Sequence, residues 1–348
     1  MRILIVTGIY PPAIGGPAQY AKNMKEEWKK MGHEVRVKTY DFEHYLPSGI
    51  RHIYFSLKII ASVIWSDFIF ALDTFSVGMP ATFMARFFGK KIIIRAGGDF
   101  LWEGYVERTK DLVLFRDFYQ RTKRGDEGRD EDNDRNEDKN REKWSMKERI
   151  IFNLTKWTLH YADTLIFSTA WQKNVWMCPY DLANVRTEII ENYYGKKEKS
   201  FEPSRKYFIA GTRKLKWKNL DFLSSVFEGI SDASLDMNNY THGEFMKRIL
   251  ECYAVILISL GDISPNMILE SIRCNKPFII TKENGLMNRI GNIAIIADPK
   301  NLEDVREKVL WLIDDRNYNM QVEKIKNFTF THSWEEIAKE ILEINRKS

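Results

Sequence analysis

Short apolar segments alternate with amphipathic segments along almost the whole chain, and this alternation constrains the fold more than any other feature. The strand candidates are "RILIV", "EVRVKTY", "DFIFALD", "KIIIRAG", "TLIFS" and "TEIIEN" in the first half, and "KYFIAG", "AVILIS", "PFIIT" and "NIAIIAD" in the second. Helical patterns separate most of them; Ala21, Met24, Trp28 and Met31, for example, share one helical face. Such alternation predicts parallel sheets that are covered by helices on both faces.

The number of strand candidates and the length of 348 residues indicate two domains rather than one. A polar, turn-rich stretch, "YYGKKEKSFEPSRK", separates the two groups of strands, so we place the boundary near Tyr194–Ser204. The predicted fold class is α/β, with two Rossmann-like domains and a cleft between them. In such sheets, ligands bind beyond the carboxyl ends of the strands.

The segment Arg121–Lys143 does not fit this pattern. It contains no apolar side chain, and its Lys, Arg, Asp and Glu residues sum to a net charge of −1. Such a segment cannot bury a face, so we predict a disordered insert or a solvated surface loop. An interaction tail is the less favoured alternative, because the charges nearly cancel.

Composition excludes several classes of protein. A net charge of +5 and a pI near 8.8 are too mildly basic to indicate nucleic-acid binding. Cys178, Cys252 and Cys274 are too scattered for a metal site or a disulfide framework, which suggests a reducing compartment. The N-terminus does not read as a signal peptide, and Lys58 and Asp67 interrupt the longest apolar run, so we expect a cytoplasmic protein without a membrane helix.

The first predicted strand is followed by a glycine loop, "GIYPPAIGGPAQYAKNM". Gly15 and Gly16 stand just before Pro17, which suits the first turn of a helix. Glycines at this point let a ligand approach the backbone at a helix N-terminus. The loop is not the G-x-G-x-x-G fingerprint of dinucleotide binding, and a tight turn explains the glycine pair equally well.

The second domain opens with "YFIAGTRKLKWKNLDFL", in which Arg213 and Lys218 follow a buried strand. Both cations would therefore lie at the carboxyl end of that strand, near the cleft. A guanidinium and an ammonium together suit a diphosphate. A solvated basic turn is the alternative, since Lys214 and Lys216 belong to the same stretch.

The stretch "GDISPNMILESIRCNKPFII" holds two carboxylates, Asp262 and Glu270, around a predicted helix start. Ser264 suits the N-cap and Pro265 the first helical position, so we predict a helix over about Pro265–Cys274. Glu270 lies opposite the apolar stripe of this helix. Two acids thus flank a helix N-terminus, where N–H groups attract an anion. Taken alone, the stretch favours a simpler explanation, namely a loop acid and a solvated helix face.

Together, these motifs occur in an order and at spacings that resemble the retaining glycosyltransferases of family four, which have the GT-B fold. The resemblance rests on "MRILIVTGIYPPAIGGPAQYAKNM", "GHEVRV", "GTRKLKWKN", "DISPNMILESIRCNKPFIIT" and "FTHSWEEIAKEILE". It covers nearly the whole chain apart from the charged insert. It implies an acceptor-side domain over 1–194, a nucleotide-sugar domain over 195–330, and a C-terminal helix over 331–348 that crosses back to the first domain.

The resemblance also implies roles for the site residues. Arg213 and Lys218 would hold the donor diphosphate, and Glu270 would bind the ribose hydroxyls. Asp262 would touch the transferred sugar. The remaining implied contacts to the diphosphate come from backbone: the N–H groups of Asn266 and Met267, and the close approach of Gly16 from the first domain. The donor is a substrate, so no separate cofactor and no metal are expected.

The chain departs from the family pattern in three places. The first acid is Asp262, where the family usually has Glu. The loop "RAGGDFLWEG" lacks the histidine that the family often carries there, which leaves Asp99 as the acceptor-side candidate. The stretch "EGISDASLDMNNYTHGEF" is short where the family usually fits a further strand and a helix, so we predict a shortened second domain.

The expected activity is transfer of a sugar from a UDP- or GDP-linked donor to a glycan or lipid-linked acceptor of the cell envelope. An anionic membrane surface is a further candidate partner, through Lys25, Lys29, Lys30, Lys90 and Lys91, although a solvated helix face is preferred for Lys25–Lys30. Two alternatives stay open: a non-catalytic GT-B subunit that binds a sugar nucleotide or a glycan, and a sugar-nucleotide epimerase or other Rossmann-type enzyme.

Overall fold

A computed structural model describes residues 1–13, 15–47, 49–123, 144–199, 201–210, 214–238 and 240–347. The first half of the chain forms a six-stranded sheet in which all strands are parallel, in the order β2-β1-β3-β4-β5-β6. Its strands are β1 Arg2–Thr7, β2 Glu34–Thr39, β3 Phe68–Ala71, β4 Lys91–Arg95, β5 Thr164–Phe167 and β6 Thr187–Ile189.

The second half forms a five-stranded parallel sheet in the order β11-β10-β9-β7-β8. Its strands are β7 Tyr207–Ile209, β8 Ser234–Asp236, β9 Ala254–Leu257, β10 Phe278–Thr281 and β11 Ile295–Ala297. The prediction of two Rossmann-like α/β domains is confirmed, and each strand candidate contains a strand.

Among the strands of the described residues, β8 alone was not a strand candidate. It lies within the stretch 228–245 that we expected to be short of a strand and a helix, and the stretch in fact holds this strand and the start of helix α9. Strand β8 has only three residues and occupies an edge of the sheet.

Helices cover both faces of both sheets. Those of the first half are α1 Gly16–Lys30, α2 Ile50–Trp65, α3 Gly78–Phe87, α4 Phe100–Thr109, α5 Phe115–Lys123, α6 Met146–Tyr161 and α7 Ala170–Met177. Those of the second half are α8 Leu220–Phe227, α9 His242–Glu251, α10 Asn266–Arg273, α11 Met287–Ile290, α12 Leu302–Ile313, α13 Asp315–Lys326 and α14 Trp334–Lys347. Single turns of 3-10 helix lie at Phe42–Tyr45 and Lys216–Lys218.

The alternating side chains of the first sheet divide its core into two layers. One layer packs against the inner sides of α2, α3 and α6, represented by Phe55, Ala81 and Leu159. The opposite layer packs against α1 and α14, represented by Trp28 and Ile341. Helix α14, which follows the second domain in sequence, therefore completes the core of the first domain, and the indole N–H of Trp28 donates to the carbonyl of Ala338 at 3.1 Å.

The chain crosses between the domains twice, and the two crossings lie side by side. Tyr194 and His332 pair as an antiparallel bridge, with both backbone N–H···O distances at 3.0 Å. Tyr194 also packs into the core of the second domain, against Phe330. The pairing fixes where the chain leaves the first domain relative to where it returns.

The structure describes the first three residues of the charged segment. Helix α5 runs through Lys123, so the first three residues of the predicted insert continue a helix rather than a loop. Arg121 and Lys123 are good helix formers, and the packed residues Phe115 and Phe118 start this helix. Residues 124–143, which carry the rest of that prediction, lie outside the described residues.

Candidate active site at the interdomain cleft

The glycine loop after β1 faces the N-terminus of helix α10 across the cleft between the domains. Helix α1 begins at Gly16, with Pro17 in its first turn. A Cβ on Gly16 would lie 3.3 Å from the side-chain nitrogen of Asn266, the first residue of α10, and a Cβ on Gly15 would lie 2.7 Å from the Cδ1 of Ile9. The absence of side chains at both positions lets the two domains, or a ligand between them, approach the backbone closely.

Helix α10 begins one residue later than predicted, and its cap differs from the predicted one. Pro265 is the N-cap residue, and no side chain caps the helix. Ser264 does not serve as N-cap, because its Oγ instead accepts a hydrogen bond at 2.9 Å from the side-chain amide of Asn192 in the first domain. The N–H groups of Asn266 and Met267 therefore have no side-chain acceptor within the described part of the chain, which leaves them available to an anion.

The predicted site residues Lys218 and Asp262 meet directly. The Nζ of Lys218 lies 2.5 Å from the Oδ2 of Asp262, and only 11% and 14% of the two side chains are exposed. Lys218 also lies over the ring of Trp217, 4.4 Å from its centroid. An ion pair this well shielded from water is costly to break on one side only.

Glu270 does not lie on a solvated helix face, which was the simpler explanation of its position in the sequence. It lies in the second turn of α10 and is half-buried. Burial raises the pKa of its carboxyl group to about 7, with a smaller opposite effect from the Arg273 guanidinium. A carboxyl group with such a pKa can accept or donate a hydrogen bond near neutral pH.

Arg213, the other cation predicted to hold a diphosphate, lies outside the described residues, as do Gly211 and Thr212. The flanking residues place the end of β7 at Ile209 and the 3-10 turn with Lys218 at Lys216–Lys218. The segment that carries Arg213 therefore joins the carboxyl end of β7 to the turn that presents Lys218.

A polar chain that sequence reasoning missed links the domains next to this site. Arg95, at the end of β4, has its guanidinium 4.2 Å from the ring centroid of Tyr20 and donates to the side-chain oxygen of Asn192. Asn192 in turn donates to Ser264, just before α10. A signal was present in the sequence, because Arg95 and Asn192 each stand at the polar end of a strand candidate.

A second carboxylate that sequence reasoning missed lies beside Asp262. Glu283 follows β10 and is buried, and its backbone oxygen accepts the N–H of Asp262 at 2.8 Å. The guanidinium of Arg116, from the first domain, lies 3.2 Å from one carboxylate oxygen of Glu283. Burial raises the pKa of Glu283, and Arg116 opposes this. The segments after β9 and β10 thus each carry an acid, joined through the backbone, and each acid is paired with a different cation.

Asp99, the predicted acceptor-side candidate, is buried at the start of α4. Its carboxylate is 3% exposed and accepts the N–H groups of Leu101 and Trp102 at 3.0 and 2.9 Å, which makes it the N-cap of α4. The hydroxyl of Tyr119 donates to its second oxygen at 2.6 Å. Burial raises the pKa of Asp99. These contacts favour a structural role, and no acceptor-side role follows from them.

An aromatic cluster joins the domains on the side of the cleft formed by α4 and α5. Trp102 of the first domain packs against Phe115 of the same domain and against Trp217 of the second domain. The distances between ring centroids are 5.2 Å and 5.6 Å. A Cβ on Gly261 would lie 2.5 Å from the Cβ of Phe115, so only glycine fits there. The cluster closes this side of the cleft and holds the loop before Asp262 against the first domain.

No group of three or more His, Cys, Asp or Glu side chains could hold a metal ion in the part of the chain that the structure describes. Among the described groups, positive charge near the start of α10 comes from Lys218, from the helix N-terminus and, through Asn192, from Arg95.

Comparison with known proteins identifies the fold. No model of a known protein family matches the chain, and no curated protein matches its sequence. Sucrose-phosphate synthase from Thermosynechococcus elongatus is similar in structure over 99% of this chain and 98% of its own, with a TM-score of 0.65 and 11% identity. The apo form of the lipopolysaccharide outer core galactosyltransferase WaaB is similar over 100% of both chains, with a TM-score of 0.62 and 11% identity. With its two parallel sheets and the cleft between them, the chain has the GT-B fold of these glycosyltransferases.

Proposed function

We propose that this protein is a retaining glycosyltransferase that uses a nucleoside-diphosphate sugar. The observation that carries the proposal is the convergence of three groups at one place in the cleft. The uncapped N-terminus of α10 faces Gly16 from the other domain, and the ion pair of Lys218 and Asp262 precedes the same helix. Together they provide positive charge for a diphosphate and a carboxylate for sugar hydroxyls.

Binding of the donor would separate the ion pair of Lys218 and Asp262 and give each side chain a new partner. Lys218 would turn from Asp262 to the diphosphate, and the N–H groups of Asn266 and Met267 would contact phosphate oxygens. Asp262, released from Lys218, would accept hydrogen bonds from the hydroxyls of the transferred sugar. Glu270 would bind the ribose of the nucleotide. Arg213 would add a second cation to the diphosphate.

In the transfer step, the bond between the sugar C1 and the diphosphate oxygen breaks. The acceptor hydroxyl oxygen forms a bond to C1 on the same face, so that the configuration is retained. The proton of that hydroxyl passes to the leaving diphosphate. The protein contributes position and stabilisation of the charge that develops on the leaving group, and this scheme uses Lys218 and the α10 N-terminus in place of a metal ion.

The donor we expect is UDP- or GDP-linked, and the acceptor a glycan or a lipid-linked sugar. The acceptor class is favoured because one similar structure is named as a galactosyltransferase of the lipopolysaccharide outer core. Such an acceptor would place the protein at the inner face of a membrane.

A non-catalytic subunit of the same fold is the second candidate. Two observations favour it: the aromatic cluster of Trp102, Phe115 and Trp217 closes one side of the cleft, and the shorter Asp262 is already neutralised by Lys218. Such a subunit would bind a sugar nucleotide or a glycan without transferring sugar.

A thermal-shift screen against UDP, GDP, ADP and their sugars tests the binding step, and transfer of labelled sugar to glycan acceptors tests the reaction. A ligand at about 100 times its dissociation constant adds about 2.7 kcal/mol of stability. Lys218→Ala should abolish most of the shift, whereas Lys216→Ala, in the same turn but paired with Asp221 at the surface, should retain it.

The possible outcomes separate the candidates. If no nucleotide or sugar nucleotide stabilises the protein, the transferase is wrong, and only the glycan-binding form of the second candidate remains. Stabilisation without transfer or donor hydrolysis would favour the non-catalytic subunit, and equal losses in the Lys218 and Lys216 variants would place the diphosphate elsewhere.

A further inference from the structure

Helix α2 is apolar on two opposite sides, although only one of them faces the core. Its inner side packs Phe55, Ile59 and Val63 against the first sheet. Its outer side exposes a stripe of large apolar side chains, with Leu57 62% exposed. The members of this stripe are Ile50, Ile53, Tyr54, Leu57 and Ile64. The outer side of a helix that packs on a core is normally polar, so the apolar outer side of α2 points to an occupant.

The exposed stripe continues onto the neighbouring elements. Phe42 and Tyr45 of the preceding 3-10 turn are exposed, and the ring of Phe42 lies 5.9 Å from that of Tyr54. On the other side, α3 packs beside α2 and exposes Phe83 and Phe87, the latter 73% exposed. Contiguous apolar surface of this kind marks an interaction site.

The charged residues of the three helices on this face are almost all basic. Helices α2, α3 and α6 cover the same face of the sheet and lie wholly within the described residues. Their sequences contain one carboxylate, Glu148, which is buried and bonded to Arg108. Their basic residues are Arg51, Lys58, Arg86, Lys147, Arg149 and Lys156.

Some of this basic charge is compensated and some is not. Lys58 pairs with Asp41 and Glu43, and Arg86 pairs with Asp163. The three basic residues of α6, Lys147, Arg149 and Lys156, form no ion pair with the described residues. The positive charge that remains lies mainly along α6, which packs beside α3 as α3 packs beside α2.

The opposite face of the same sheet has neither property. There the outer side of α1 is polar, and its lysines are partly neutralised within the helix, as in Lys30 with Glu27 at 2.6 Å and Lys22 with Glu26 at 3.9 Å. Lys90 and Lys91, which the sequence suggested as membrane contacts, donate to the backbone carbonyls of Ser66 and Asn345. A solvated helix face accounts for the α1 lysines.

We propose that the face formed by α2, α3 and α6 docks on an anionic lipid bilayer. The apolar side chains of α2 and α3 would enter the interface between headgroups and acyl chains, and the basic residues of α6 would contact anionic headgroups. None of the described helices is long and apolar enough to cross a bilayer. In the proposed contact, the face lies on the surface of the bilayer. The proposal does not depend on the transferase activity.

A second copy of this chain is the competing occupant, because the stripe on α2 could pack against itself. Charge decides between the two. Two copies would bring the unpaired lysines and arginine of α6 toward each other, and the one carboxylate of these helices, Glu148, is already bonded to Arg108. An anionic surface would instead attract them.

Vesicle co-sedimentation of the full chain tests the proposal. The wild type should sediment with vesicles of phosphatidylcholine and phosphatidylglycerol, and much less with phosphatidylcholine alone. The double variant Leu57→Ser/Phe87→Ser should lower partitioning into the mixed vesicles at least about tenfold, because two large apolar side chains no longer enter the interface. The variant Lys147→Gln/Arg149→Gln/Lys156→Gln should remove most of the dependence on salt.

A matched control replaces exposed apolar side chains of the second domain, Leu310→Ser/Met320→Ser, and should sediment as the wild type does. Denaturation midpoints establish that all variants are folded; the replaced side chains are exposed, so no large loss is expected. The proposal fails if the wild type ignores phosphatidylglycerol, or if the control loses binding as much as the docking variant. It also fails if Leu57→Ser/Phe87→Ser abolishes a concentration-dependent dimer instead.

Discussion

Replacement of Glu270 by glutamine should change how the stability of the protein depends on pH. Burial raises the pKa of this carboxyl group from 4.5 to about 7, so the folded protein disfavours the ionised form. One pKa unit corresponds to about 1.4 kcal/mol, which gives an upper limit of about 3 kcal/mol. Because the side chain is partly exposed, we expect about 2 kcal/mol.

The sign follows from proton binding. Between pH 4.5 and about 7, the folded protein binds the proton that the unfolded chain releases. The wild type therefore loses stability relative to Glu270→Gln as pH rises through this window, and the difference levels off above it. Urea denaturation of both proteins at several pH values measures the difference. Glu303→Gln, in which 78% of the replaced side chain is exposed, should follow the wild type.

The same substitution tests the proposed contact to ribose. Hydroxyls that donate to Glu270 would favour its ionised form, so nucleotide binding should release a proton and strengthen as pH rises toward 7. Calorimetry in two buffers of different ionisation enthalpy measures that proton. If the difference in unfolding free energy between the wild type and Glu270→Gln does not vary with pH, the pKa of this carboxyl group is not raised by burial. Equal proton release by wild type and Glu270→Gln would refute its contact with the ligand.

Three further predictions concern the rest of the site and the charged segment. Asp262→Glu lengthens the acid by one methylene; we expect it to spare nucleoside-diphosphate binding and to change sugar transfer, and a change in diphosphate affinity measured by calorimetry would contradict this. Gly261→Ala places a Cβ 2.5 Å from that of Phe115, so denaturation should reveal a loss of about 1–3 kcal/mol; an unchanged midpoint would mean that the domain contact yields easily. Replacing 124–143, which contains no apolar side chain, with a short Gly/Ser linker should leave the melting temperature nearly unchanged, and a drop of several degrees would indicate that the segment packs.

Local patterns in the sequence were sufficient for most of the fold. The buried strands are short runs of Ile, Val, Leu and Phe, such as "KIIIR" and "FIFA", that are bounded by turns and separated by amphipathic helices. Strand β8 escaped prediction because "SLD" is only three residues long and lies at a sheet edge, where it is not a buried apolar run. The architecture of two Rossmann-like domains therefore follows from periodicity and order, which are properties of neighbouring residues, whereas the GT-B fold was implied only by the resemblance to a known family.

The site depends instead on contacts between residues that are distant in sequence. Lys218 and Asp262 are 44 positions apart and Asn192 and Ser264 are 72 apart, so no local pattern could pair them. Ser264 has the sequence of a helix cap, yet its hydroxyl bonds to Asn192 because the two domains meet there.

Residue types and spacing determined which elements form and which side chains could serve a diphosphate and a sugar. Only the tertiary structure decided how buried each of those side chains is and what it touches. Glu270 appears in sequence as a solvated helix acid, but packing of the second domain raises its pKa. Asp99 appears as a loop acid, but it caps α4 and bonds to Tyr119. Burial and partners arise when distant segments pack together, and a linear pattern does not contain that information.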